Sequence, residues 1–387
     1  NNAVNQSGRT YVAWCWKAGG AATTIAAGSI HSAATNSAQT WSSNITTTGN
    51  SGSWYSSYPA THIFDATTTN YGHANGDGSV AAVVTLSFSP AITCNSSVSF
   101  FGGLTGSGTG TISINGGTAF NLTTGSSATT KTTVAFSGSI SSIVVTKTAT
   151  GGEGLLVYGF EIDGIRLTDG TAFTVPAVPS IASSVSTSSE YGFSIGTYSG
   201  TGSLASVAHN LGAVPELLIC KGRTGPGLSW ATQFLCSGNS YFEVNSQGGN
   251  NTTDASNAWG ADSTQNTFSI KTKPTTNETP ANGNSFVFYA WKSVPGFSKI
   301  SSYTGTGASG NVVTTGFRPS FLLIKADIDG EDWIIMDDAR TPENPVNDAF
   351  FANTGTVPNA ISVYSVDFND DGFTVNNNNP RFNTNTE

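Results

Sequence analysis

Apolar and polar residues alternate along this chain in short runs, and runs at helical spacing are missing. Between residues 31 and 175 the runs are Val80–Phe88, Val98–Phe101, Thr111–Ile114, Thr133–Phe136, Ser142–Thr146, Leu155–Ile162 and Ile165–Leu167, each bounded by Gly, Asn or Ser. Short period-two runs separated by turn residues predict an antiparallel sandwich or jelly roll. The stretch Phe160-Glu-Ile-Asp163-Gly164-Ile-Arg-Leu167 places Asp-Gly between two such runs, which predicts a tight hairpin. Residues 11–17, Tyr-Val-Ala-Trp-Cys-Trp-Lys, are apolar on both faces and predict a strand buried on both sides.

A second pattern is a repeat. Residues 192–221 read GFSIGTYSGTGSLASVAHNLGAVPELLICK and residues 296–325 read GFSKISSYTGTGASGNVVTTGFRPSFLLIK. Tyr198 matches Tyr303, Pro215 matches Pro319, Trp230 falls opposite Trp333, and Phe268 opposite Phe373. The first copy closes with Phe286-Val-Phe-Tyr-Ala-Trp291-Lys292, and the second has no such run before Glu387. A run of that kind stands at Tyr11–Lys17 instead. Units of ~100 residues in tandem point to an array or appendage. The missing run leaves three expectations open: the polypeptide continues, Tyr11–Lys17 folds back to complete the second repeat, or it completes the repeat of a neighbouring chain. In the last case Tyr11, Val12, Trp14 and Trp16 form an assembly strand.

The organisation expected is therefore residues 1–30 as a closing strand of a preceding or neighbouring repeat plus linker, and 31–175 as an inserted jelly roll. A linker at 176–190 follows, then one sandwich repeat at 191–295 and another at 296–387 lacking its last strand. The fold class is all-β: tandem antiparallel β-sandwich repeats with an inserted jelly-roll-like sandwich.

Composition sharpens this picture. Charged residues are 10% and aromatics 11%, the reverse of a disordered chain. The net charge of −9, with scattered Lys and Arg, disfavours nucleic-acid binding. No apolar stretch reaches the ~18 residues of a membrane-spanning helix, and no signal peptide is visible. Cys15, Cys94, Cys220 and Cys236 show no CxxC spacing; Cys15 and Cys220 lie in apolar runs and are expected as buried thiols.

The segments YVAWCWKAGG, GFSIGTYSGTG, HNLGAVPELLICK, SFVFYAWKSVPGFSKISSYTGTG and VVTTGFRPSFLLIK, followed by Trp333-Ile-Ile-Met-Asp337-Asp-Ala-Arg340, resemble repeat domains of tail-fibre-like proteins of marine tailed phages. The stretches PATHIFDATTTNYGHA and VYGFEIDGIRLTDG resemble a jelly-roll insert similar to galactose-binding-like modules. The resemblance implies a virion appendage located on the particle surface. Its partners would be copies of itself, as trimer or filament, other virion proteins and a host-surface glycan.

Candidate chemistry follows the same line. Trp41, Trp54, Tyr55, Tyr58 and Tyr71 lie in a Ser/Asn/Thr-rich stretch, where aromatic faces can stack on sugars. Asp65 with Asn70 is the candidate for structural calcium, against a turn whose Asp accepts backbone hydrogen bonds; His62 and His73 read as turn residues. Asp367-Phe-Asn369-Asp-Asp371-Gly372 starts like a calcium loop but has Asn378 where a bidentate Glu is needed, so it reads as a turn. Asp327, Asp329, Glu331 and Asp332 read as a solvated hairpin tip. Glu153, Glu161 and Asp163 could pair as glycosidase carboxylates, the basis of a depolymerase alternative, but a turn hairpin explains them equally well. No Ser/His/Asp order stands out, and His209 is not shared between the repeats. The expected activity is binding, not catalysis; a capsid decoration or filament subunit is the other reading.

Overall fold

The structure, a computed structural model, describes residues 7–8, 10–48, 53–75, 80–105, 108–148, 154–225, 229–234, 241–249, 259, 263–271, 282–355, 359–360 and 363–385. The chain is all-β and forms two compact units, residues 28–178 and residues 1–27 with 179–387.

In the unit 28–178 two five-stranded antiparallel sheets enclose one core. One orders Ile45–Thr48, Ala82–Cys94, Gly138–Lys147, Gly110–Ile114 and Phe120–Asn121. The other is built on Leu155–Ile162, which pairs with Ile165–Arg166, Ser97–Leu104 and Gly72–Ala74. The inward residues of each run, among them Val84, Leu86, Phe100, Ile112, Ile143 and Phe160, are buried together with Phe64. The Asp163-Gly164 turn forms as expected, with both residues at positive φ (52° and 79°). Asp163 does more than turn the chain. Its carboxylate accepts from the backbone N–H groups of Asn95, Ser96 and Ser97 and from the Ser96 hydroxyl, at 2.7–2.8 Å, and so ties the hairpin to the bend between two long strands.

In the other unit the first repeat is a sandwich. Its large sheet orders Thr23–Ile25, Ser183–Ser188, Phe193–Ser199, Ser285–Trp291, Leu217–Gly222, Trp230–Phe234 and Phe242–Glu243. Ala205–Ala208 with Thr267–Ile270 covers its inner face. Residues 176–190, expected as linker, thus contain a strand of the main sheet, because the alternating Ser/Val/Thr of Ser183–Ser188 suits a half-buried pleat. The 18–30 stretch likewise contributes Thr23–Ile25, paired with Ser183–Val185.

His209 is fully buried in this repeat. Its Nδ1 accepts from the Leu211 N–H at 3.1 Å, and Nε2 lies 3.1 Å from the Thr264 carbonyl, an arrangement for the neutral Nε2–H tautomer. Burial pulls its pKa down to about 4.

The second repeat keeps the equivalent pairs. Val313 faces Phe373 as Val207 faces Phe268. The Trp333 N–H donates to Asn353 Oδ1 as the Trp230 N–H donates to Asn245 Oδ1. Phe321–Ile324, Ile334–Asp337, Asp348–Phe351 and Asn359–Ala360 form one sheet, and Asn311–Thr314, Gly372–Val375 and Val366–Asn369 the other. Where the first repeat has Phe193–Ser199, the matching residues 297–303 form no strand. Among the described residues none pairs as a strand with the edge of Phe321–Ile324 that faces away from Ile334–Asp337.

The repeats dock through the acidic loop, whose Asp327 and Asp329 are exposed as expected of a solvated tip but whose Asp332 is buried. Asp332 is 5% exposed and accepts from Gln247 and Asn353 through Oδ1 and from Arg381 Nε and Nη2 through Oδ2, at 2.7–3.1 Å. Asp329 accepts from the Gly249 N–H, and Trp333, fully buried, donates Nε1–H to the Glu243 carbonyl while packing on Phe234 and Phe242. Burial works against the Asp332 charge, but the hydrogen bonds from Asn353, Gln247 and Arg381 outweigh it and hold the carboxyl below its usual range. Asp337 and Arg340 of the resemblance motif are structural: Arg340 Nε meets Asp337 Oδ2 at 2.7 Å and its guanidinium covers Phe350 at 3.8 Å.

Two stability predictions follow from opposite starting charges. His209 is neutral when folded and protonates near 6.5 when unfolded, so its contribution is complete above that pH and is lost as pH falls toward about 4, in all about 3 kcal/mol. Urea midpoints of the whole chain fall over that window, and His209→Asn, whose amide can still accept from Leu211, flattens the fall. Asp332→Ala strands the Gln247 and Asn353 amides and leaves the Arg381 guanidinium only the longer Glu331 contact at 3.5 Å, and lowers stability at pH 7 by on the order of 2 kcal/mol, a loss visible in the same urea titration.

Candidate surface site

The outer side of the Leu155–Ile162 sheet carries a cluster of aromatic side chains. Residues 53–58 run beside Gly72–Ala74: the Tyr55 N–H donates to the His73 carbonyl, the His73 N–H to the Tyr58 carbonyl and the Asn75 N–H to the Ser53 carbonyl, at 3.0–3.2 Å. This lays Tyr55 on His73, with ring centroids 4.3 Å apart, and Tyr58 flat on Tyr71 at 4.6 Å with planes 12° apart. Tyr71 reaches Tyr158, which projects from Leu155–Ile162, at 5.0 Å. Tyr55 and Tyr58 are each 38% exposed. A hydrogen bond to Tyr58, with burial second, pushes the Tyr71 pKa up to about 12, so the Tyr71 phenol is a neutral hydroxyl at physiological pH.

Of the five aromatics expected to meet sugars, the structure joins three here: Tyr55, Tyr58 and Tyr71. Trp41 is a correction. It is fully buried, packed on Phe88 and Phe173, and its Nε1–H donates to the Thr168 carbonyl at 3.0 Å, so it plugs the sandwich. Trp54 is half-buried, bridged to Ala74, and packs against the core; its Cζ3 would stand 2.8 Å from a Cβ on Gly72, so only glycine fits beneath it. Sequence reasoning missed Tyr158 and the role of His73. For Tyr158 a signal existed: it is an outward position in an alternating strand whose neighbours point inward.

Asp65 closes an Asx turn. Its carboxylate accepts from the Thr67 N–H at 2.9 Å and from Asn70 Nδ2 at 2.6 Å. Slight burial pulls its carboxyl up, but the bonds from Asn70 and Thr67 and the nearby His62 hold it below the usual range. Among the described residues no cluster of three or more His, Cys, Asp or Glu is placed to hold a metal ion. The Asn369–Gly372 turn joins two paired strands and closes a tight hairpin. Glu161 is paired with Lys131 at 2.9 Å, and Glu153 lies outside the described residues, as does Cys236. Cys94 and Cys220 are buried, but Cys15 is exposed, because residues 11–17 form no strand.

In that segment Tyr11 is 52% and Trp16 42% exposed, whereas Val12 and Trp14 are half-buried. Trp14 packs on Phe321 and Phe350, and Trp16 on Phe321, Phe193 and Trp291.

Residues 167–387, more than half of the chain, match the model of a family described as a domain of unknown function, DUF7483, and the chain belongs to that family. A comparison with curated proteins finds no match. Among solved structures, the arabinofuranosyltransferase AftD from Mycobacteria is similar over 92% of this chain and 34% of its own, at 11% identity and a TM-score of 0.24. The chain spans about a third of that protein's length, and a superposition this slight carries no argument.

The Asp163 carboxylate is tested as a structural pin. Asp163→Ala strands the N–H groups of Asn95, Ser96 and Ser97, and lowers the unfolding midpoint of the chain by the equivalent of about 3 kcal/mol. A melt unchanged by that substitution would contradict the assignment.

Proposed function

We propose that this chain is a structural protein of a virus particle, part of a tail fibre or related appendage, that binds a host-surface glycan through the unit 28–178. The observation that carries the binding reading is the Tyr55–Tyr58–Tyr71–His73–Tyr158 cluster. Flat, partly exposed rings offer an apolar face to the C–H side of a sugar ring, and the tyrosine hydroxyls can both donate to and accept from sugar hydroxyls. The cluster stands on a sheet, which holds the rings in place before any ligand arrives. The virion setting is supported by the resemblance of the repeat segments to tail-fibre-like proteins. In this reading the chain binds and does not cleave, because Glu161 and Asp163 are engaged with Lys131 and the 95–97 bend. Single contacts of this kind are weak and gain strength when several copies act together.

A glycan array probed with the whole chain, followed by retention on host cells, tests the reading. Tyr58→Ala and Tyr71→Ala each weaken retention about tenfold while the melt stays near that of the parent. Retention on no glycan and no host cell, or retention indifferent to both substitutions, sinks it.

A further inference from the structure

Trp230 and Trp333 occupy the same place in the two repeats, yet one is 36% exposed and the other fully buried. Trp333 is covered by the first repeat: Phe234 lies 5.9 Å away, Phe242 meets it edge-on at 6.0 Å and 82°, and the Glu243 carbonyl accepts its Nε1–H. Trp230 is backed by Tyr289 at 6.3 Å and by Lys221 at 5.7 Å, and its remaining surface faces outward. The molecule itself therefore displays what covers a tryptophan in this position, namely the edge of another repeat.

The complementary edge is present in part, with Asp337 in the place of Phe234. The pairing of Ala231 with Glu243 and Thr232 with Phe242 corresponds to that of Ile334 with Phe351 and Ile335 with Phe350, so Phe350 stands where Phe242 stands. A tryptophan already sits on it. Trp14 meets Phe350 at 6.2 Å and 86°, nearly the geometry of Trp333 on Phe242. The copy is imperfect, because Trp14 Nε1 is buried without a hydrogen-bond partner while Trp333 Nε1 has one. A stranded buried donor costs roughly 1–3 kcal/mol, so Trp14 is a weak occupant.

We propose that Trp230 docks onto Phe350 of a second copy of this chain, displacing Trp14 and repeating between molecules the contact made within one by Trp333 and Phe242. The contact joins different patches on the two partners, so it is head-to-tail and propagates unless the rotation closes a ring. Trp14 acts as a cap that holds the edge until a partner arrives. This inference is independent of the glycan reading.

Sedimentation velocity on the whole chain tests it. Trp14→Ala lowers the concentration for self-association at least about tenfold, and adding Trp230→Ala returns the chain to monomer. Trp14→Ala/Trp230→Ala mixed with Trp14→Ala/Phe350→Ala gives a dimer and nothing larger, because each variant keeps one half of the contact. A Trp14→Ala chain that stays monomeric at every soluble concentration overturns the proposal. Association that survives Trp230→Ala does so too, as does Trp230-dependent retention on immobilised alginate by a chain that remains monomeric.

Discussion

The pairing of Ser285–Trp291 along both of its edges is the contact on which the first repeat depends. This strand joins Phe193–Ser199 to Leu217–Gly222, segments that do not pair with each other. Its alternation then decides both faces of the sheet. Phe286, Phe288 and Ala290 point into the core, where Phe286 stacks on Tyr198 and Phe288 meets Phe268, while Tyr289 and Trp291 point out. A slip of one residue would exchange these sets, putting Phe286 and Phe288 into water and driving Tyr289 and Trp291 into a core shaped for other side chains. In the second repeat no described strand lies along the equivalent edge of Phe321–Ile324; residues 297–303 form no strand, and an irregular segment bearing Trp14 and Trp16 lies against Phe321.

Charge is scarce in this chain, and where acids are buried or half-buried they have structural work. Asp163 collects three backbone N–H groups, Asp332 collects Gln247, Asn353 and Arg381, and Asp337 holds Arg340 over Phe350. A buried carboxylate is tolerable only when several donors converge on it. Each of these residues sits at a bend or a module boundary, where the donors it collects would otherwise be stranded. The same economy leaves aromatic rings, more than ion pairs, as the distinctive material of the surface.

Period-two alternation is a property of the chain alone, which is why the strands between residues 80 and 167 could be read directly and the all-β class with them. The repeat was equally legible because Trp230 and Trp333, or Phe268 and Phe373, align without reference to space. What could not be read was burial decided by distant partners. Trp41 looks like Tyr58 in a polar stretch, yet only Phe88, Phe173 and the Thr168 carbonyl, far along the chain, make it a core residue. Asp332 looked solvated because Gln247 and Arg381 lie 85 and 49 residues away. Ser183–Ser188 passed for linker because Ser and Thr are common in both settings, and its pairing partner Thr23–Ile25 is separated from it by an entire unit.

That separation has a consequence for how the molecule tolerates change. The chain leaves one unit through Thr23–Ile25 and returns through Ser183–Ser188, which are paired, and the inserted unit begins and ends at His31 and Val178, which also exchange hydrogen bonds. Once the insert has folded, its ends are held a strand's width apart, so the rest of the chain sees a short bridge in place of a long loop. The entropy of closing that bridge hardly depends on what lies beyond it. Residues 28–178 are thus a cassette: one sandwich could be exchanged for another, with different outward rings, while the repeats and their docking contacts stay as they are.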